Sequence, residues 1–227
     1  MATEDTTPDA RSAGSDAKRH WNEVYASKPV TEASWYQEHA QASLRLIAAT
    51  GIAPDGAIVD VGGGASTLVD DLLARGYSNL SVLDLSAAAL QVAQARLGPL
   101  AANVHWIEAD VTHAALPQHA YDVWHDRAVF HFLTDAQARA RYVETVTRSV
   151  KPGGHVIVAT FADDGPDMCS GLPVVRYSAQ QLQAAFGDAF VLQHHEKESH
   201  VTPGGPVQSF VYCHFRLAQT AVGRALQ

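Results

Sequence analysis

Two hydrophobic rhythms alternate along the chain. "DAKRHWNEVYAS" gathers Trp21, Val24 and Tyr25 on one side at helical spacing, and "EHAQASLRLIAATG" does the same with Leu44, Ile47 and Ala48 before Gly51 ends it. A β-branched apolar run, "AIVDVG", then reads as a buried strand. "STLVDDLLARG" follows as a helix striped by Leu68, Val69, Leu72 and Leu73, with Ser66 as its cap and Gly76 as its stop. The pattern repeats: "LSVLDL" as strand, "SAAALQVAQARLG" as helix, "NVHWIEAD" and "YDVWHD" as strands. A long helix over "TDAQARARYVETVTRSVKPGG" opens with a capping box of Thr134 and Gln137. "HVIVATF" is the next strand, and "SAQQLQAAFG" a helix with the capping box Ser178 and Gln181. "FVLQHHE" and "VQSFVYCHF" close the series as two strands joined through "TPGGP".

Strands that alternate with helices must lie parallel, with the helices covering both faces. The last two strands have no helix between them, so a hairpin reverses the final one. The expected fold is therefore α/β: a doubly wound, Rossmann-like sheet of seven strands, mostly parallel, with an antiparallel last strand. Residues 1–15, rich in acids and small polar residues, read as a disordered arm. Residues 16–227 read as one domain, with a helical lid over 16–50 and a core over 51–216.

Composition narrows the function. Of 227 residues, 47% are hydrophobic, enough for one sizeable core. The net charge of −8 and the absence of any Lys/Arg cluster argue against a nucleic-acid partner. No apolar run is long enough to span a membrane. Cys169 and Cys213 are the two cysteines and sit in no zinc spacing, so no metal is expected. The acidic start is unlike a secretory or transit peptide, and a cytoplasmic protein is the default expectation.

The densest signal is "IVDVGGGAST". In doubly wound sheets a ligand sits beyond the carboxyl ends of the strands, where Gly62, Gly63 and Gly64 fall. A dinucleotide fingerprint would carry a third glycine at position 67, which is Thr67. That weakens a nicotinamide-dependent oxidoreductase reading. Instead, "VDVGGGAS" resembles the first motif of the class I S-adenosylmethionine-dependent methyltransferases. Asp60, Gly62 and Gly64 match it, and Ser66 stands where that pattern has its last glycine. The resemblance continues in order through Asp84 and Leu85 at the second strand end, Asp110 and Val111 at the third, and "VKPGGHVIV" at the fifth. It implies S-adenosylmethionine as cofactor and S-adenosylhomocysteine as product. It implies a ribose-binding role for Asp84, an adenine-binding role for Asp110, and glycines that let the backbone approach the methionine part. Asp60 is either an acid beside the cofactor or a turn acceptor. "HWNEVYASKPVTEASWYQ" is faintly similar to the entry segment of the lysine methyltransferases of citrate synthase and elongation factor. Through it, Trp35 and Tyr36 become lid or substrate residues, or aromatics that bury a helix on the sheet edge.

Methyl transfer needs an acceptor held in line and, for O–H or N–H acceptors, a proton acceptor. "HDRAVFHFL", at the fourth strand end, offers Asp126 to orient the acceptor and contact the cofactor, Arg127 to bind the acceptor, and His131 as a base. The competing reading of His131 is a packed histidine. The loop "ADDGPDMCSGLPVVRY" offers Cys169 and Arg176 as acceptor contacts. The hairpin offers His200, placed to look into the acceptor site and act there. The acceptor is expected to be a small molecule; a protein lysine, or a non-catalytic cofactor-binding module, are the alternatives.

Overall fold

The computed structural model describes residues 10–27 and 29–219. Helices run over Ala10–Ser27 (α1), Gln41–Ala49 (α2), Leu68–Ala74 (α3), Ala87–Leu97 (α4), Ala136–Ser149 (α5) and Ala179–Phe186 (α6). Strands run over Ile58–Val61 (β1), Leu80–Asp84 (β2), Val104–Glu108 (β3), Tyr121–Arg127 (β4), Val150–Phe161 (β5), Met168–Cys169 (β6), Leu172–Pro173 (β7), Phe190–Val201 (β8) and Val207–Leu217 (β9).

The main sheet has seven strands in the order β3-β2-β1-β4-β5-β9-β8. β1 pairs in parallel with both β2 and β4, so the chain switches direction across the sheet at β1. β9 returns between β5 and β8 and is antiparallel to both. The expected doubly wound sheet with a reversed last strand is the observed one. The edge strand β8 is long, and Glu196, Lys197 and Glu198 along it oppose pairing with another sheet.

Each face of the sheet has its own apolar layer. One gathers Trp124, Tyr142, Phe186 and Phe190; the other Ile47, Leu68, Leu72 and Phe210. Each such side chain contributes about 1.5–3 kcal/mol when fully buried. The indole N–H of Trp124 donates to the Tyr142 hydroxyl at 3.0 Å, so the largest core ring leaves no polar atom orphaned.

Local signals held with four exceptions, the first being that α3 starts after Thr67 as its N-cap residue and not after Ser66. The Ser178–Gln181 capping box and the Ser86 cap form as expected. α5, however, is capped by Asp135, which accepts from the Ala138 N–H at 2.7 Å. The expected box at Thr134 fails because a short 3₁₀ turn over Phe130–Phe132 carries the chain one residue further before the helix starts. α1 begins at Ala10, inside the stretch expected to be an arm; residues 1–9 lie outside the described residues. The β6–β7 hairpin, two residues per strand, was invisible to a period-2 pattern.

Candidate active site

The carboxyl ends of β1 to β4 open into one cavity of about 540 Å³, roofed by α1 and the segment before α2. Its floor starts at Gly62, the first of the three glycines. Gly62 has φ +68°, and a Cβ there would fall 2.0 Å from Val129 Cγ2. At Gly63 a Cβ would lie 2.2 Å from Asp60 Oδ2, and at Gly64 2.5 Å from Ala89 Cβ and 2.6 Å from Asp84 Oδ2. The protein's own atoms therefore require all three glycines: the loop is folded down onto its acids. The sequence reading gave that room to a ligand, and the structure fills it with side chains.

Asp84 is buried at the end of β2. Its carboxylate accepts from the Gly64 N–H at 3.0 Å and the Ser86 N–H at 2.8 Å. Burial raises its pKa to about 6 against those hydrogen bonds. A carboxylate has about four acceptor sites, so the two bonds leave lone pairs for a ligand with neighbouring hydroxyls, and Asp84 lines the cavity with Leu85. Asp110, beyond β3, forms a tight turn: it accepts from the Thr112 N–H at 2.9 Å and the Thr112 hydroxyl at 2.7 Å. Val111 and His113 line the same end. Arg148, in the last turn of α5, donates to the Ala114 carbonyl, and the start of the same helix lines the cavity through Gln137 and Ala138.

Asp60 belongs to a buried chain. Its Oδ1 lies 2.7 Å from His125 Nδ1, and His125 Nε2 lies 2.8 Å from the Ser43 hydroxyl. A carboxylate can only accept, so Nδ1 carries the proton that faces Asp60. Asp60 Oδ2 is buried without a partner, beside the small recess lined by Gly62, Gly63 and Ser66. Ser66 also accepts from the Leu68 N–H at 3.1 Å.

The opposite half of the cavity is aromatic. Trp21 meets Trp35 edge-on at 5.6 Å and Phe132 at 5.2 Å, and Tyr25 meets Trp35 at 6.1 Å. Cys169 and Arg127 complete this wall. Burial pushes the Cys169 thiol and the Tyr25 hydroxyl upward. Arg127 donates to the Tyr212 hydroxyl at 2.9 Å and the Trp35 carbonyl at 3.0 Å, and stacks 4.3 Å over Phe210. Ala128, at the end of β4, is held at φ +73°, a conformation costly for an alanine and common where a chain bends around a site.

Five expected site residues lie elsewhere. Asp126 is fully buried, and its carboxylate accepts from the Val129 N–H, the Phe130 N–H and the Tyr142 hydroxyl. It folds the turn after β4 and faces no cavity. His131 is fully buried between Phe132 and Phe161; burial lowers its pKa to about 3. A histidine so placed is not a proton acceptor for a substrate. His200 stands behind the lid, where Nε2 donates to the Ser34 carbonyl at 2.8 Å. Arg176 donates to the Gly165 carbonyl on the loop surface. Tyr36 borders the small recess and not the main cavity. Conversely, Tyr25, Phe132, His113 and the Ser43–His125 pair were not singled out. Only the helical side shared by Trp21 and Tyr25 carried a signal for them.

Among the described residues no helix is long and apolar enough to cross a membrane, and no three His, Cys, Asp or Glu side chains group to hold a metal. The family model described as "Methyltransferase domain" matches residues 58–154, the span from β1 into β5 that builds the glycine loop and both acids. Over these residues the chain is similar to methyltransferase domains. An uncharacterized methyltransferase of Mycobacterium tuberculosis is 33% identical over 116 residues, covering 51% of this chain and 54% of that one. The chain thus spans about half the length of the curated relatives it matches. Among solved structures, the chain resembles the protein studied for conversion of a disulfide bond into a thioacetal group during echinomycin biosynthesis. That likeness has a TM-score of 0.74 at 18% identity, over 91% of this chain and 94% of that one. The Burkholderia thailandensis 1,6-didemethyltoxoflavin-N1-methyltransferase, solved with its substrate and S-adenosylhomocysteine, gives a TM-score of 0.64 at 16% identity. It covers 96% of this chain and 93% of that one. Both likenesses are of fold.

Proposed function

We propose that this chain transfers a methyl group from S-adenosylmethionine to a small-molecule acceptor. The observation that carries the reading is the glycine loop folded onto Asp84, which leaves that buried carboxylate with free lone pairs in the cavity wall. The cofactor, when bound, supplies an electrophilic methyl on a sulfonium. Asp84 would hold the ribose hydroxyls in charge-assisted bonds. Val111, Leu133 and the Asp110 turn would enclose the adenine. Asp60 Oδ2, kept in place by His125, would meet the ammonium of the methionine part.

The lid favours a small acceptor. α1 is fastened across the cavity by Asn22, which accepts from the Ser86 hydroxyl at 2.7 Å, and by the Lys18–Glu108 ion pair at 2.5 Å. A chamber roofed by aromatic rings suits a molecule that enters whole better than a protein side chain on a folded surface. The lysine and nicotinamide readings have no observation of their own in the cavity. A cytoplasmic setting accompanies this proposal.

Calorimetry tests it. S-adenosylhomocysteine should bind and NAD should not. Absence of S-adenosylhomocysteine binding at millimolar concentration would reject the proposal.

A further inference from the structure

Four rings line one half of the cavity: Trp21, Tyr25, Trp35 and Phe132. Trp21 with Trp35, Trp21 with Phe132 and Tyr25 with Trp35 meet at 75–80°, so they form a corner and not a stack. The face of an aromatic ring is its negative pole and attracts a cation within about 6 Å of the ring centre.

The charges around the rings point the same way. Arg127 borders them, but Glu198 lies 3.7 Å from its Nη2 and matches its charge. Its other donors go to the Tyr212 hydroxyl and the Trp35 carbonyl, and the guanidinium stacks on Phe210. With that pair balanced, the carboxylates of Asp84, Asp110 and Asp135 in the cavity wall face the single guanidinium of Arg141. The charge of Asp84 reaches the rings: burial first, and then Asp84, push the Tyr25 hydroxyl upward. A cation in this half therefore gains from the rings and from the nearest acid.

The rings come without a free proton acceptor. Burial keeps the Cys169 thiol protonated, and His131 and His200 are buried outside this half. Asp84 is engaged by the Gly64 and Ser86 N–H groups and by the proposed ribose contact. A protonated amine would be held here but not deprotonated, and without a lone pair it cannot attack.

Building on the methyl-transfer reading, we infer that the acceptor is a tertiary amine or a ring nitrogen, methylated to a quaternary cation. The nitrogen lone pair forms a bond to the methyl carbon. The bond from that carbon to the sulfonium breaks and its electron pair stays on sulfur. The positive charge passes from sulfur to nitrogen, and no proton changes hands. The rings thus face a cation before, during and after transfer.

The test uses two probes of one shape. (3-Hydroxyphenyl)trimethylammonium carries the quaternary nitrogen of such a product; 3-tert-butylphenol has the same outline without the charge. Each is titrated by calorimetry into the wild-type protein, with and without S-adenosylhomocysteine. The cation should bind at least about tenfold tighter than the phenol, a difference of about 1.4 kcal/mol. W35L should remove most of that preference. E198Q, which leaves the Arg127 charge unmatched, should weaken the cation at least about threefold and leave the phenol unchanged. Equal binding of the two probes, or tighter binding of the phenol, overturns the inference. So does a cation preference that W35L leaves intact. If W35L does not fold, the wild-type order and E198Q decide. Failure of S-adenosylhomocysteine to bind rejects the methyl-transfer reading instead, and the probe order is still read from the ligand-free arm.

Discussion

The two halves of the cavity are built on different principles. The proposed cofactor half comes from consecutive strand ends, those of β1 and β2 followed by helices and that of β3 by a turn, and its key contacts are backbone bonds to acids: Gly64 and Ser86 to Asp84, Thr112 to Asp110. The proposed acceptor half is collected from α1, the segment before α2, the end of β4, the turn after it and the β6–β7 hairpin. Backbone N–H groups fix the first. Side-chain rings and one arginine fix the second. A backbone-built site tolerates little change, whereas a side-chain-built site can alter its specificity one residue at a time.

Four experiments probe that difference. The largest effect is expected in the loop. Gly63→Ala puts a Cβ 2.2 Å from Asp60 Oδ2 against a buried hydrogen-bonded chain, and S-adenosylhomocysteine affinity should drop more than about a hundredfold. Binding within a few-fold of wild type would mean that the loop is not rigid. Next, Asp84→Ala should weaken the same ligand by about 1.5–3 kcal/mol, the range for hydrogen bonds to a charged group; unchanged binding would remove Asp84 from the site.

Acid provides a third probe. Burial raises the folded-state pKa of Asp84 to about 6, above its ordinary value. In the ligand-free protein this carboxyl therefore contributes stability that is full below its unfolded pKa and is lost as pH rises through about 6. A ligand that donates hydroxyls to the carboxylate needs the ionised form. S-adenosylhomocysteine affinity should thus be flat above about pH 6.5 and fall below pH 6, by up to about tenfold per unit. In calorimetry, an affinity independent of pH down to pH 5 would contradict the assignment.

The smallest effect belongs to the support of the lid. His200→Ala leaves the Ser34 carbonyl without its donor and should lower stability by about 1–3 kcal/mol. Cofactor affinity should stay within about threefold, because His200 borders neither half of the cavity. Thermal melts with and without ligand read both quantities. An unchanged melting temperature would show that solvent replaces the bond.

The cofactor half was legible in the sequence because its residues follow one another along strand, turn and helix. Gly62, Asp84, Asp110 and their neighbours fall where the period of the pattern placed them. The aromatic half was read poorly because nothing local distinguishes a lining residue from a buried one. Asp126 and His131 sit at the correct strand end, yet three hydrogen bonds turn the first into the turn and packing against Phe161 draws the second into the core. His200 was assigned to the correct hairpin but faces the back of the lid, since β8 and the segment at Ser34 lie closer than loop lengths could tell.

By itself, then, the sequence determined the alternation of strand and helix, the reversed last strand, and the position of the glycine loop and its acids. These follow from periodicity and from the few conformations that glycine, proline and capping residues permit. Only the tertiary structure decided which side of α1 roofs the cavity, that Asp60 is tethered through His125 to Ser43, and that Arg127 is the cation of the aromatic wall. Those are contacts between residues far apart in the chain. Their geometry is set by how the layers pack, and packing is a property of the whole fold and not of any one segment.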